Sequence, residues 1–265
     1  MIVDDRCSIN ELIQRKLMNI LVSQPQPTDF EKSPYGDLTR KYNVSIDFFK
    51  FIKIEGIPSK EFRQSRINIL DYSAVIFTSR NSVDHYFRMA KELRAEIPQT
   101  MKYFCISEST AFYLQKYVQY RKRKIFHGKQ NFEDLMEIIR KHKEEKYLLP
   151  CSDIHKASIS KLLDDNEINY NKGIFYKTLA SDLSHIEIKK YDMLVFFSPS
   201  GITSLFKNFP EFKQNSTIIG AFGPTTSKAV RDAGLTLNIE APTKTAPSMT
   251  MAIEEFLQKN LKKTK

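Results

Sequence analysis

Short apolar runs recur along the chain, separated by segments in which apolar residues return every three or four positions. The runs are Asn19–Ser23, Ser45–Ile54, Ala74–Thr78, Tyr103–Ile106, Lys124–Phe126, Lys146–Leu149, Asn169–Lys177, Met193–Ser198, Ser216–Phe222 and Leu235–Ile239. Most are continuously apolar rather than alternating, the pattern of parallel strands covered on both faces. Helical spacing predicts helices at Val83–Leu93, Ser109–Tyr117, Phe132–His142, Ile154–Asn166, Ile202–Phe206, Ser227–Ala233 and Met249–Asn260. Strand and helix alternating at this spacing predict parallel α/β layers.

The pattern repeats within the chain. Val75–Phe87 matches Leu194–Phe206, and Ile106–Ala111 matches Phe222–Ser227. The strand at Ile125 then matches the one at Ile239, and the helix at Asn131–His142 matches Ser248–Lys259. A further match, Met18–Ile46 against Lys146–Tyr170, is out of order: it precedes the rest in one copy and follows it in the other. The arrangement predicts two similar flavodoxin-like parallel α/β domains, one inserted in the other. The first takes residues 1–49 and 180–265, with 1–16 as an extension outside the pattern. The second takes residues 50–179. Both crossovers, Phe49–Lys53 and Tyr176–Ala180, read as strands, so the two domains are expected to be joined by a two-stranded β-ladder.

In open parallel sheets ligands bind beyond the carboxyl ends of the strands. Here those ends carry Ser23-Gln24, Thr78-Ser79-Arg80, Ser107-Glu108-Ser109-Thr110, Cys151-Ser152-Asp153, Ser198-Pro199-Ser200-Gly201 and Gly223-Pro224-Thr225-Thr226. Each offers small hydroxyl residues and backbone N–H groups at a helix start, where orphan donors and the helix dipole favour anions. Any one such turn is more often an ordinary N-cap than a ligand site. Six of them, in two facing copies, suit a wide cleft for a polyanionic small molecule.

Charge sharpens this only partly. Lys and Arg number 41 against 31 Asp and Glu, a formal charge of +10, which points to an anionic partner. Much of the excess lies in Tyr120-Arg-Lys-Arg-Lys124 and Lys259–Lys265, which read as a solvated loop and a helix end rather than a nucleic-acid surface. Three cysteines without C-x-x-C spacing speak against a disulfide framework or a zinc site. Nucleotide-loop, zinc-protease and acyl-transfer motifs are absent from the sequence, and its five histidines share no metal spacing. With no run near the ~20 apolar residues of a membrane helix and no signal-peptide pattern, the expectation is a cytoplasmic monomer that binds neither membrane nor nucleic acid.

Phe77-Thr-Ser79, Phe197-Ser-Pro-Ser-Gly201, Gly223-Pro-Thr-Thr226, Leu149-Pro-Cys151 and Ala241-Pro-Thr243, in this order and across residues 18–260, resemble the uroporphyrinogen-III synthase family. The resemblance implies an enzyme that closes the linear tetrapyrrole hydroxymethylbilane to uroporphyrinogen III, losing water and inverting ring D, with no metal or organic cofactor. The substrate's eight carboxylates fit the hydroxyl-rich turns. Departure of its terminal hydroxyl leaves an azafulvene that ring D attacks through its substituted carbon, and a spiro intermediate then reopens and recloses.

The resemblance assigns proton donation to the leaving hydroxyl to Tyr176; the residue type alone fits an amphipathic linker tyrosine as well. It assigns substrate binding to Thr78, Ser79, Arg80, Ser107 and Thr110 in one domain, and to Ser198, Pro199, Ser200, Gly201, Thr225 and Thr226 in the other. Ser107 stands where the family usually has glycine, and Asn131-Phe132 replaces small residues. Two other readings stay open on sequence: a non-catalytic relative that only binds a tetrapyrrole or similar polyanion, and an α/β module for a phosphorylated ligand or nucleic acid.

Overall fold

A computed structural model describes residues 17–129, 131–155 and 157–261. The extension expected at residues 1–16 lies outside them. Eleven strands and nine α-helices are assigned among the described residues. The chain divides into two compact units: residues up to Lys53 with Leu179 onward, and Ile54–Thr178. Lys50–Lys53 stay with the first unit because Phe51, 1% exposed, is buried in that unit's core.

The first unit holds β1 (Met18–Val22), α1 (Pro34–Lys41) and β2 (Val44–Phe48). The crossover strand β3 (Ile52–Gly56) leads into the second unit. There follow α2 (Ser59–Gln64), β4 (Ala74–Phe77), α3 (Arg80–Leu93), β5 (Lys102–Cys105), α4 (Glu108–Leu114), β6 (Ile125–His127), α5 (Phe132–Ile139), β7 (Tyr147–Ser152), α6 (Ala157–Asp165) and β8 (Tyr170–Ala180). The chain then completes the first unit with β9 (Met193–Phe196), α7 (Pro199–Asn208), β10 (Ile218–Phe222), α8 (Pro224–Asp232), β11 (Ile239–Ala241) and α9 (Met249–Leu261). Among the described residues no helix is long and apolar enough to cross a membrane.

The first sheet has the order β11-β10-β9-β1-β2 and the second β3-β8-β7-β4-β5-β6. All pairs in the first are parallel, as are β8-β7-β4-β5-β6 in the second. Set β7 and β8 against β1 and β2, and β4, β5 and β6 against β9, β10 and β11: the two orders become identical. The two units thus share one doubly wound topology, cut at different points of the chain. β3 flanks β8, with Ile57 N–H on Phe175 O and Ser181 N–H on Phe51 O, so the two strands run antiparallel.

Both faces of each parallel sheet are covered, which explains the unbroken apolar runs. In β4, Val75 and Phe77 pack with Val83, Tyr86, Met89 and Ala90 of α3 on one face. Ala74 and Ile76 pack with Leu135, Met136 and Ile139 of α5 and Leu163 of α6 on the other. In β9 the same alternation sends Leu194 and Phe196 toward Ile202 and Leu205 of α7, and Met193 and Val195 toward Ile253 and Leu257 of α9. Each of the larger of these side chains, taken fully out of water, contributes roughly 1.5–3 kcal/mol before entropy is set against it.

The single strand expected over Ser45–Ile54 is two strands, β2 and β3, with the buried Phe51 in the corner between them. The Ser204 hydroxyl bonds the Phe51 carbonyl there. The strand expected at Leu235–Ile239 begins only at Ile239. β7 runs on through Pro150 to Ser152, so Cys151 and Ser152 lie inside a strand rather than in the turn after it.

Candidate functional site

The helices after β4, β5 and β9 start immediately beyond the strand, because a serine caps each one. Ser79 Oγ accepts the Ser82 N–H at 3.1 Å, and the Ser82 hydroxyl reaches back to the capping residue, closing a reciprocal capping box. Ser107 Oγ accepts the Thr110 N–H at 3.4 Å, and Ser198 Oγ the Gly201 N–H at 3.3 Å. α8 differs. Gly223 occupies the cap, at φ 88° and ψ 147°, a backbone region essentially confined to glycine, and it supplies no side-chain cap.

In the first unit Ser198, Pro199, Ser200 and Gly201 thus form the start of α7, with Pro199 exposed, Ser200 partly exposed and Gly201 buried. Thr225 is exposed on the first turn of α8, while Thr226 is 1% exposed. In the second unit Thr78 and Ser79 are partly exposed and Arg80 is exposed. The Arg80 guanidinium sits over the Tyr113 ring, 5.4 Å from its centre. Thr110 is buried, its hydroxyl 3.2 Å from Ser107 Oγ. Several of the hydroxyls expected to meet a ligand are therefore already engaged in capping, which leaves backbone N–H groups as the donors these turns present.

Tyr176 lies within the second unit, and a bulge aims it. Along β7 and β8 Cys151 faces Ile174, but Ser152 faces Tyr176, so Phe175 is an extra residue in the ladder. Consecutive residues of a regular strand point to opposite faces. Here Phe175 and Tyr176 are both buried, at 0% and 6% exposure, in the same core beside α3. Bulges of this kind re-aim a side chain next to functional sites.

The Tyr176 hydroxyl lies 3.5 Å from Ser79 Oγ, and its ring stacks on His85 at 4.9 Å and 23°. Ser79 and Tyr176 line a pocket of about 220 Å3 with Thr78, Ile106, Leu149, Cys151, Ser152 and His155. This pocket unites Thr78, Ser79 and Tyr176; Ser107 and Thr110 are not part of its lining.

Burial raises the Tyr176 phenol above its ordinary value, although the contact with Ser79 pulls the other way. It therefore keeps its proton at neutral pH. Burial also lowers the pKa of His85, and the adjacent Arg88 lowers it further, against an opposite pull from Asp84. Cys151 is 5% exposed and burial pushes its thiol up to about 11; its Sγ donates to the Gly173 carbonyl. At Asp153 burial raises the carboxyl. The N–H groups of Thr178 and Ile154 and the Ser152 hydroxyl outweigh it, and the net shift is downward.

Ser152 and His155 complete the pocket lining, and His85 stacks on Tyr176 without being part of that lining; none of the three was assigned to the site in the sequence. Ser152 belongs to one of the hydroxyl-bearing segments read at the strand ends, as Ser79 does, although β7 in fact extends through it; no local signal marks either histidine. Among the described residues His142, Glu144 and Glu145 form a group with metal-ligand atoms. Lys102 bridges both carboxylates, at 2.5 Å to Glu145 and 3.7 Å to Glu144, so an ion-pair cluster accounts for it.

A family model for uroporphyrinogen-III synthase HemD matches residues 34–251. A Methanocaldococcus jannaschii protein whose name provisionally assigns it as a uroporphyrinogen-III synthase is 26% identical over 214 residues, covering 74% of this chain and 88% of its own. Two solved structures share the fold. Uroporphyrinogen-III synthetase of Helicobacter pylori aligns with a TM-score of 0.58 at 18% identity, covering 91% of this chain and 99% of its own. A triple mutant of the Thermus thermophilus uroporphyrinogen III synthase aligns with a TM-score of 0.57 at 15% identity, with the same coverage. The match to the family model spans most of the sequence, and the chain belongs to the uroporphyrinogen-III synthase family.

Proposed function

We propose that Tyr176 is the proton donor in this chain's version of the family reaction. Uroporphyrinogen-III synthases are lyases of tetrapyrrole biosynthesis: they take hydroxymethylbilane, expel its terminal hydroxyl as water and close the ring with ring D inverted. The substrate is itself reactive, so the enzyme has two tasks. It eases departure of the hydroxyl, and it holds the chain in the fold that leads through the spiro intermediate. Spontaneous closure gives the uninverted isomer, so positioning decides the product.

The observation that carries the proposal is the bulge at Phe175, which turns a protonated phenol toward the pocket beside Ser79. Such a phenol donates a hydrogen bond, and then a proton, to a departing hydroxyl. The Ser79 hydroxyl, 3.5 Å away, is placed to receive or return a hydrogen bond as charge develops on the Tyr176 oxygen. Thr78, Ser79, Arg80, Ser107 and Thr110 in one unit, and Ser198, Pro199, Ser200, Gly201, Thr225 and Thr226 in the other, take acetate and propionate arms. They act chiefly through the N–H groups of the helix starts that the caps leave free, Pro199 excepted because it has none, in keeping with hydroxyls already engaged as caps.

The test is product analysis. The full chain is incubated with freshly prepared hydroxymethylbilane, and isomers I and III are resolved. Isomer III formed faster than spontaneous closure supports the reading, and isomer I alone at the spontaneous rate refutes it. The same assay on Tyr176→Phe assigns the donor.

A further inference from the structure

The bulge that aims Tyr176 is itself held from outside the ladder, by a single side chain of α3. The Arg88 guanidinium donates through Nη2 to two backbone carbonyls, Ile57 at 2.9 Å and Phe175 at 3.1 Å. Phe175 is the extra residue of the bulge. Ile57 immediately follows β3, and its own N–H bonds the same Phe175 carbonyl at 3.1 Å. Through Nε the guanidinium donates to His85 Nδ1 at 3.2 Å, and through Nη1 it bonds Glu92, one turn further along the helix. An arginine only donates, so His85 Nδ1 must accept, and the proton of the neutral imidazole sits on Nε2. That fixes the ring whose face lies against Tyr176.

A second observation, independent of these bonds, is the glycine beneath the clamp. A Cβ at Gly56 would lie 2.6 Å from both Cζ and Nε of Arg88. Only a residue without a side chain leaves room for the guanidinium to pass over the end of β3. The clashing atoms belong to the far end of a long side chain. An added methyl would therefore displace the guanidinium rather than the strand.

We propose that Arg88 is a positioning residue for the Tyr176 hydroxyl: its planar fork locks the Phe175 bulge and the stacked His85 ring, and Gly56 is the space that admits it. Lysine would not reproduce the arrangement, because a single ammonium lacks the fixed fork that spans two carbonyls and an imidazole. The inference rests on the assignment of Tyr176 as proton donor and adds the residue that sets its aim. Misplacing a donor by about 1 Å costs on the order of 10- to 100-fold in rate.

The experiment is a set of double-mutant cycles on the full chain, following formation of isomer III. Arg88→Met and Gly56→Ala are each expected to lower kcat about 10- to 100-fold, with KM for hydroxymethylbilane within about twofold of its original value. Arg88→Lys regains part of the loss. Neither Arg88→Met nor Gly56→Ala lowers the rate further once Tyr176→Phe is present. Losses that add fully to that of Tyr176→Phe overturn the proposal and leave Tyr176 as the donor, and so does an unchanged kcat in both variants. A Tyr176→Phe enzyme with the original rate overturns the assignment of Tyr176, and this proposal with it. Should Arg88→Met fail to fold, as judged by circular dichroism, Gly56→Ala carries the same test with the arginine still present.

Discussion

Ser79 and Tyr176 lie 97 positions apart in the chain, yet their side-chain oxygens are 3.5 Å from one another. One caps the helix after β4; the other follows a bulge in β8. If that pair delivers the proton, Tyr176→Phe lowers the rate of isomer III formation by on the order of 100-fold, and the spontaneous isomer I then dominates the product. The pH dependence has a definite sign. The active form is the neutral phenol and burial raises its pKa above 10. Activity therefore survives through neutral pH and falls only as the pH rises beyond about 10. An alkaline limb well below that value would point to a different donor.

Binding by backbone N–H groups predicts tolerance at the side chains. Ser200 is on the first turn of α7 and is not the residue that caps it. Ser200→Ala is expected to change KM by no more than about tenfold, since a typical hydrogen bond has a net worth of about 0.5–1.5 kcal/mol. Steady-state kinetics measure this directly, and a loss of 100-fold would assign the hydroxyl itself to the substrate.

Gly223 tests backbone conformation with little else changing. A Cβ built there meets nothing within 4 Å. The cost of Gly223→Ala is therefore conformational, about 1–3 kcal/mol for a non-glycine residue in that region. Thermal melting should show a drop of several degrees. If the loop relaxes to avoid the strain, the start of α8 moves, and KM rises with it.

The thiol of Cys151 lines the pocket but is unsuited to nucleophilic work. Burial holds its pKa near 11, and its hydrogen is directed at the Gly173 carbonyl. Alkylation by iodoacetamide at pH 7 should be slow against a free cysteine in peptide, because the thiolate is the reactive form. Rapid labelling with loss of activity would contradict that environment.

Much of the architecture was legible from hydrophobic pattern alone. The continuous runs at Ala74–Phe77 and Met193–Phe196 are strands buried on both faces, and the out-of-order repeat foretold a shared topology with a displaced starting point. Helix starts were read too late. Periodicity begins at the first apolar residue, Val83 or Ile202, whereas the helices begin at Arg80 and Pro199, a turn earlier. Polar first turns carry no period, and there the capping serines are the better signal. α2 was missed because Ser-Lys-Glu-Phe-Arg-Gln buries one residue, Phe62, and so has no apolar stripe to detect.

At the pocket, serine at the strand ends pointed to Ser79 through local chemistry. The bulge at Phe175 had no such mark, since it depends on how β8 registers with β7. His85 could not be seen for a similar reason: its partner in the stack is 91 residues away. Arg88 in sequence is one more helical cation, and only the three-dimensional neighbours of its guanidinium distinguish it.

The displaced cut in the second copy of the fold has a consequence for the order in which the protein is made. A nascent chain synthesised as far as Thr178 already contains every strand from β4 to β7 and most of β8. Of the first sheet it holds only β1 and β2. β1 lies at the interior of that sheet, with Ile20 paired to Met193 on its far side. Until β9 emerges, that edge of β1 has no partner in its own sheet. The unit that begins the chain is thus the last to close, and its first strand must stay free of wrong partners while an entire second fold is built in between.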